Sequence, residues 1–382
     1  MKKITTFNFD DVIERRGTHS SKWDKYKGQD IIPLWVADTD FKVAPVILQA
    51  IEERVKHSVF GYTRTDLERN QIIVDYYQKK YMASIEADWI VWVPGIVASL
   101  SLAVRSLSKQ HKDVLTPDMV YPYFHTVPVA AGKTANHLAM TNAQDRVRID
   151  LDKLEQHDAT NAKVMLFCNP QNPGGAVYTH EELSRIDAYC KANNLVLVSD
   201  EIHADIILDE DKKHIPYLDI SEHALNNSIV LGAASKAFNI AGLASSWAVI
   251  ANPELRQAFK DEMHGIISEV NPFGYTATLT ALEKGDEWIA TMNDYLRGNR
   301  DYLLAEFSQI DGIRMLPLES TFLAWLDVSE LKLKDPCAFF EAAGVGLSAG
   351  EGFNAPGFLR LNFGCARSVL EEAIKRMKKA LA

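Results

Sequence analysis

Lys236 lies in Gly232-Ala233-Ala234-Ser235-Lys236-Ala237-Phe238-Asn239-Ile240-Ala241-Gly242-Leu243, directly after the apolar run Ser228 to Leu231. A long cation at the end of a buried strand is either paired or stripped of its charge, and an uncharged amine attacks carbonyl carbons. The competing reading is an ordinary surface turn with the ammonium in water. Two other apolar runs also end in polar groups. Lys163 to Cys168 feeds Asn169-Pro170-Gln171-Asn172-Pro173-Gly174-Gly175, and Leu195 to Val198 feeds Ser199-Asp200-Glu201-Ile202-His203. If the three strands are neighbours, an amide, a carboxylate and an amine converge on one crevice.

The surrounding pattern is of the kind that brings them together. Trp89 to Val93, Asp113 to Thr116, Lys163 to Cys168, Leu195 to Asp200, Ser228 to Leu231 and Trp247 to Ile250 read as strands. Ile96 to Leu107 reads as a helix, and so does the stretch to about Asn193 that opens with the capping-box spacing Thr179-His180-Glu181-Glu182. Continuous apolar strands alternating with helices predict an α/β fold with a mainly parallel sheet covered on both faces, and ligands at the carboxyl ends of its strands. Helices over 44–57 and 66–82 precede this region. A long helix from Asp286 to Gln309 and the strands around Phe322 to Leu326 and Leu359 to Phe363 follow it, implying a smaller α+β unit. The expected organisation is an N-terminal arm over 1–43 partly joining the small unit, a large domain over 44–285 and a small domain over 286–382.

An amine, a buried carboxylate and an amide on one rim are the groups pyridoxal 5'-phosphate requires, together with a helix N-terminus for its phosphate. Gly95-Ile96-Val97, at a strand-to-helix turn, offers backbone N–H groups for the phosphate, and Tyr121 in Val120-Tyr121-Pro122-Tyr123-Phe124 is placed to stack on a ring. Taken singly, each has a plainer explanation: Asp200 as a helix cap, Asn172 as a turn former, Arg360 as a structural bridge, Tyr121 and Trp35 as core aromatics. Asp200-Glu201-x-His203-x-Asp205 also admits a metal-ligand reading.

Taken together, the motifs resemble the fold-type I pyridoxal-phosphate enzymes of the class I/II aminotransferase superfamily. Within it they are most similar to the MalY/PatB branch of cystathionine β-lyase-like C–S lyases. The likeness is carried by Arg16-Gly17-Thr18, Lys22-Trp23-Asp24, Leu34-Trp35-Val36-Ala37-Asp38, Phe60-Gly61-Tyr62, the Asn-Pro-x-Asn-Pro-Gly turn, Ser199 to His203, Ser235 to Leu243 and Phe358-Leu359-Arg360-Leu361-Asn362. It implies Lys236 as the lysine that carries the cofactor and acts as base at the substrate Cα. Asp200 would face the pyridine nitrogen, Asn172 and His203 the ring oxygen, and Tyr121 the ring. Gly95, Ile96, Val97 and Ser235 would hold the phosphate, and Arg360 the substrate carboxylate, with Trp35, Ala37 and Asp38 on the substrate side. Tyr62 would reach the phosphate of a neighbouring subunit, implying a homodimer with a shared site. Gln171, Thr39 and Ala237 depart from the family pattern, and the first two are expected at the site entrance.

The implied activity is α,β-elimination from S-substituted cysteines, giving thiol, pyruvate and ammonia. The alternatives are transamination of neutral or aromatic amino acids and a regulatory binding protein that retains the fold. A net charge of −10 over 382 residues argues against nucleic acid, and 47% hydrophobic with 24% charged residues is ordinary for a globular chain. No stretch reaches the roughly 18 apolar residues of a membrane span. Met1 to Asp11 lacks the apolar core of a signal peptide, and Cys168, Cys190, Cys337 and Cys365 have no metal or disulfide spacing, so a reduced, cytoplasmic setting is expected.

Overall fold

The computed structural model describes residues 7–141 and 146–382. Part of the Met1 to Asp11 stretch read for a signal peptide, residues 1–6, lies outside the described residues. In the arm, the short strand β1 (Ile32–Pro33) is followed by a segment, 34–44, that leads into the helix Pro45–Lys56. The seven-stranded sheet comprises β2 (Ile90–Val93), β3 (Asp113–Pro117), β4 (Thr134–Leu138), β5 (Ala162–Cys168), β6 (Val196–Asp200), β7 (Ser228–Gly232) and β8 (Ser246–Val249). Its order is β2-β8-β7-β6-β5-β3-β4. All neighbours are parallel except β8, which runs antiparallel to both β2 and β7.

The apolar character of the central strands follows from cover on both faces. Side chains along a strand alternate sides, so Val164, Leu166 and Cys168 of β5 pack with the buried helix Ile96–Leu107, whereas Met165 and Phe167 pack on the opposite face with Leu183 and Ile186 of His180–Ala192. That second helix begins where expected, with the Thr179 hydroxyl and Glu182 carboxylate capping each other's backbone N–H groups. β4 is a polar edge strand that the apolar pattern does not reveal. Two further helices, Pro253–Met263 and Pro272–Lys284, also lie outside the expected elements. Each starts at an Asn-Pro pair, with asparagine as cap and proline in the first turn.

After the helix Asp286–Phe307 come β9 (Arg314–Met315), β10 (Leu323–Asp327), β11 (Val345–Gly346), β12 (Ser348–Ala349) and β13 (Phe358–Asn362). An antiparallel sheet forms in the order β12-β13-β10-β9, while β11 pairs in parallel with β1 of the arm. One buried apolar cluster runs from Phe9 and Ile32 through Phe167 and Trp247 to Ile374 and Met377, so arm, large sheet and C-terminal helix share a core. Among the described residues, no helix is long and apolar enough to cross a membrane.

Candidate active site

Register brings the three polar strand ends together. Cys168 at the end of β5 lies beside Asp200 at the end of β6, and Asp200 lies beside Leu231 of β7. The turn carrying Asn172, the carboxylate of Asp200 and the loop carrying Lys236 therefore leave the sheet at one edge. They line a cavity of about 690 Å³ with His203, Tyr121, Gly95, Ile96, Val97, Ser235, Trp35, Ala37 and Arg360. Of the residues expected from sequence, Asp38 and Tyr62 do not line it.

Burial sets the charges inside. The Lys236 amine is brought down to about 8, first by loss of water and then by the positive Arg360, with Asp38 and Asp200 acting the other way. Lys236 Nζ donates to the Ala37 carbonyl at 2.7 Å. The Asp200 carboxyl is pushed up to about 7, chiefly by burial, although the Ile202 N–H donates to it at 3.1 Å and Lys236 opposes the shift. His203 is driven down to about 3 by burial and by the Lys236 and Arg360 charges, so its imidazole is neutral at neutral pH, and its buried Nδ1 has no partner among the described residues. Burial likewise raises the Tyr121 hydroxyl to about 12.

Arg360 sits on β13 with 5% of its surface exposed, crossing into the cavity from the small sheet. Its Nη1 donates to Asn172 Oδ1 at 3.0 Å and its Nη2 to the Trp35 carbonyl at 3.1 Å, while the buried Nε has no partner among the described residues. The guanidinium lies 4.7 Å from the centroid of the Phe353 ring. Phe353 also lines the cavity, and sequence reasoning missed it because nothing in its loop marks it.

The opposite wall is a helix N-terminus. Gly95 joins β2 to Ile96–Leu107 at φ 148°, a backbone region in which L side chains are strained. Among the described residues no side chain caps this end of the helix, so its first N–H groups have no side-chain capping oxygen there. Ser246 Oγ donates to the Val93 carbonyl at 2.8 Å, tying the turn to β8. The donor set fits pyridoxal phosphate: an uncapped helix N-terminus for the phosphate, a buried carboxylate with no cation bonded to it, an orphaned imidazole nitrogen, and an amine with a lowered pKa.

Several residues are used differently from what their types suggest. Asp38 is turned into the arm, where Arg15 donates to its carboxylate at 2.9 Å. Its charge still acts on Lys236 from there, and its segment is held by Asn362, which donates to the carbonyls of Val36 and Asp38 on either side of the Ala37 carbonyl that meets Lys236. Tyr62 is 106% exposed. Gln171 and Thr39 are buried away from the cavity rather than placed at its entrance: Gln171 locks its own turn by donating to Met119 O and accepting from Gly174 N. The acidic cluster after β6 diverges, with Glu201 accepting from His214 and Asp205 accepting from Tyr76.

The profile described as Aminotransferase class I and II matches residues 29–377, and the chain belongs to that family. Its relatives sharpen the assignment. Cystathionine beta-lyase PatB of Bacillus subtilis is 32% identical over 98% of this chain and 100% of its own. The crystal structure of OvoB superposes with a TM-score of 0.95 at 40% identity, covering 98% of this chain and 99% of that one. The pyridoxal-phosphate-bound C–S lyase of Staphylococcus hominis superposes with a TM-score of 0.91 at 32% identity, covering 99% of each. The fold is the fold-type I α/β architecture expected from the sequence.

Proposed function

We propose that this protein is a pyridoxal-phosphate-dependent carbon–sulfur β-lyase that releases thiol, pyruvate and ammonia from S-substituted cysteines. The observation that carries the proposal is one cavity holding Lys236 with its lowered amine pKa, the buried Asp200 and the inward-facing Arg360, on a chain similar along its whole length to proteins named as C–S lyases. When bound, the cofactor supplies the electron sink for the pair left at the substrate Cα.

The remaining work falls to the chain. Lys236 Nζ would be the group that holds the cofactor, and the same amine would take the proton from the substrate Cα. An amine brought down to about 8 is well matched to that exchange near neutral pH. Asp200 would face the pyridine nitrogen and favour its protonated form, and that cation would relieve the cost of the buried carboxylate charge. Asn172 and His203 would face the ring oxygen and Tyr121 the ring. Gly95, Ile96, Val97 and Ser235 would hold the phosphate. Arg360, with an unpartnered Nε, takes the substrate carboxylate in two hydrogen bonds. Trp35 and Ala37 form the substrate wall, with Asp38 holding that segment from outside.

The working unit is a homodimer with a shared site. Support comes from Tyr62, fully exposed on its own chain, and from the exposed Val59, Phe60 and Leu67 around it. The divisions at 43/44 and 285/286 remain our reading of the domains, supported for the arm by the β1–β11 pairing. Transamination is distinguished by assay: consumption of L-cystathionine only in the presence of an added keto acid, which is converted to its amino acid while neither pyruvate nor thiol is released from the substrate, would replace the lyase reading.

A further inference from the structure

Four charged side chains line the catalytic cavity: Lys25, Asp200, Lys236 and Arg360. The last three are accounted for by cofactor and α-carboxylate, which leaves Lys25. It belongs to the arm, and its side chain is 42% exposed, at the solvent end of the cavity. Its ammonium lies 5.0 Å from the centroid of the Trp35 ring and 4.6 Å from that of Tyr26. Two hydrogen bonds hold it, one to Tyr26 Oη at 2.8 Å and one to Glu341 Oε2 at 3.3 Å. Tyr26 donates to the same Glu341 oxygen at 2.7 Å. An ammonium has three donors, so one remains.

Trp35 connects this amine to the reaction centre. Its carbonyl accepts from Arg360 Nη2 at 3.1 Å, and its ring carries Lys25. A cysteine derivative held at Arg360 by its carboxylate and at Lys236 by its Cα has its sulfur substituent left to run along the Trp35 wall toward the mouth. Building on the lyase reading, we propose that Lys25 is a specificity-determining residue that receives a carboxylate on the departing thiol, selecting cysteine thioethers whose leaving group is itself acidic. Tyr26 and Glu341 are its positioning residues, fixing an otherwise mobile side chain. The plainer role, a tether between the arm and the helix Pro336–Ala342, would affect all substrates alike.

The test compares holoenzyme acting on L-cystathionine, whose leaving thiol bears a carboxylate, with the same enzyme acting on S-ethyl-L-cysteine, whose leaving thiol does not. In Lys25→Met the ratio of kcat/KM for cystathionine to that for S-ethyl-L-cysteine is expected to fall about tenfold, mainly through KM, and Lys25→Arg to restore most of it. An unchanged ratio in Lys25→Met overturns the proposal. Binding gives an independent reading, followed by the absorbance of the bound cofactor with L-2-aminopimelate and L-norleucine. Preference for the diacid in the wild type, lost in Lys25→Met, supports Lys25 even if neither thioether is cleaved, a result that would defeat only the lyase reading. No preference for the diacid in the wild type overturns the role of Lys25.

Discussion

At Asp200 the site carries the cost of a buried carboxyl, which a pyridinium beside it would relieve. The carboxyl is at about 7 in the folded chain against an ordinary 3.8, because burial disfavours its charged form. The cofactor-free native state therefore binds the proton more tightly than the unfolded chain. Stability declines as pH rises between those two values, and above them the full penalty of the bare carboxylate is present. Asp200→Asn keeps the shape and removes the charge. At pH 8 the cofactor-free variant is expected to melt about 2 to 5 °C above the wild type, an advantage that vanishes near pH 4, while its affinity for pyridoxal phosphate is lower. Melting curves at the two pH values and a cofactor titration check this; a lower melting temperature at pH 8 contradicts it. Lys236 and Asp200 were legible in the sequence because a charged group at the end of an apolar strand is conspicuous. Asp38 and Gln171 show the limit of such reading, since a residue's type does not say which way its side chain turns.

Gly95 carries the argument at the scale of the element. The Pro-Gly turn marked the start of Ile96–Leu107, but only the fold shows the glycine at φ 148° with open space where a Cβ would stand. Gly95→Ala thus meets no neighbour and is penalised by backbone strain alone, about 1–3 kcal/mol. If the turn relaxes, the first N–H groups of the helix lose their aim. The expected result is a Tm lower by a few degrees and a cofactor affinity weaker by about tenfold, read by calorimetry and absorbance titration; affinity equal to the wild type would remove this helix end from the phosphate site. Apolar strands with both faces covered announce themselves, as β5 to β7 do. β4, polar at a sheet edge, carries no such mark, and the antiparallel direction of β8 depends on neighbours remote in sequence.

For the whole molecule, Tyr62 stands fully exposed outside its own chain's cavity, where the proposed dimer would place it at a partner's site. A shared site makes this testable by complementation. Chains bearing Lys236→Ala and chains bearing Tyr62→Ala, each poorly active alone, should recover activity when co-expressed, because a mixed dimer rebuilds one intact site. About a quarter of wild-type activity is the expectation for random pairing of two equally expressed chains. Absence of recovery would confine each site to a single chain. The likeness of the motifs pointed to this arrangement from the sequence, whereas composition and periodicity contain nothing about it.

Elimination and transamination part at one point: whether sulfur leaves the substrate or its amino group is passed onward. The direct measurement is the yield of pyruvate and thiol from L-cystathionine by purified holoenzyme, with and without added keto acid. Elimination predicts both products in equal amounts, with no keto acid required, and their loss in Lys236→Ala. Turnover that occurs only when a keto acid is supplied, without thiol release, would contradict it.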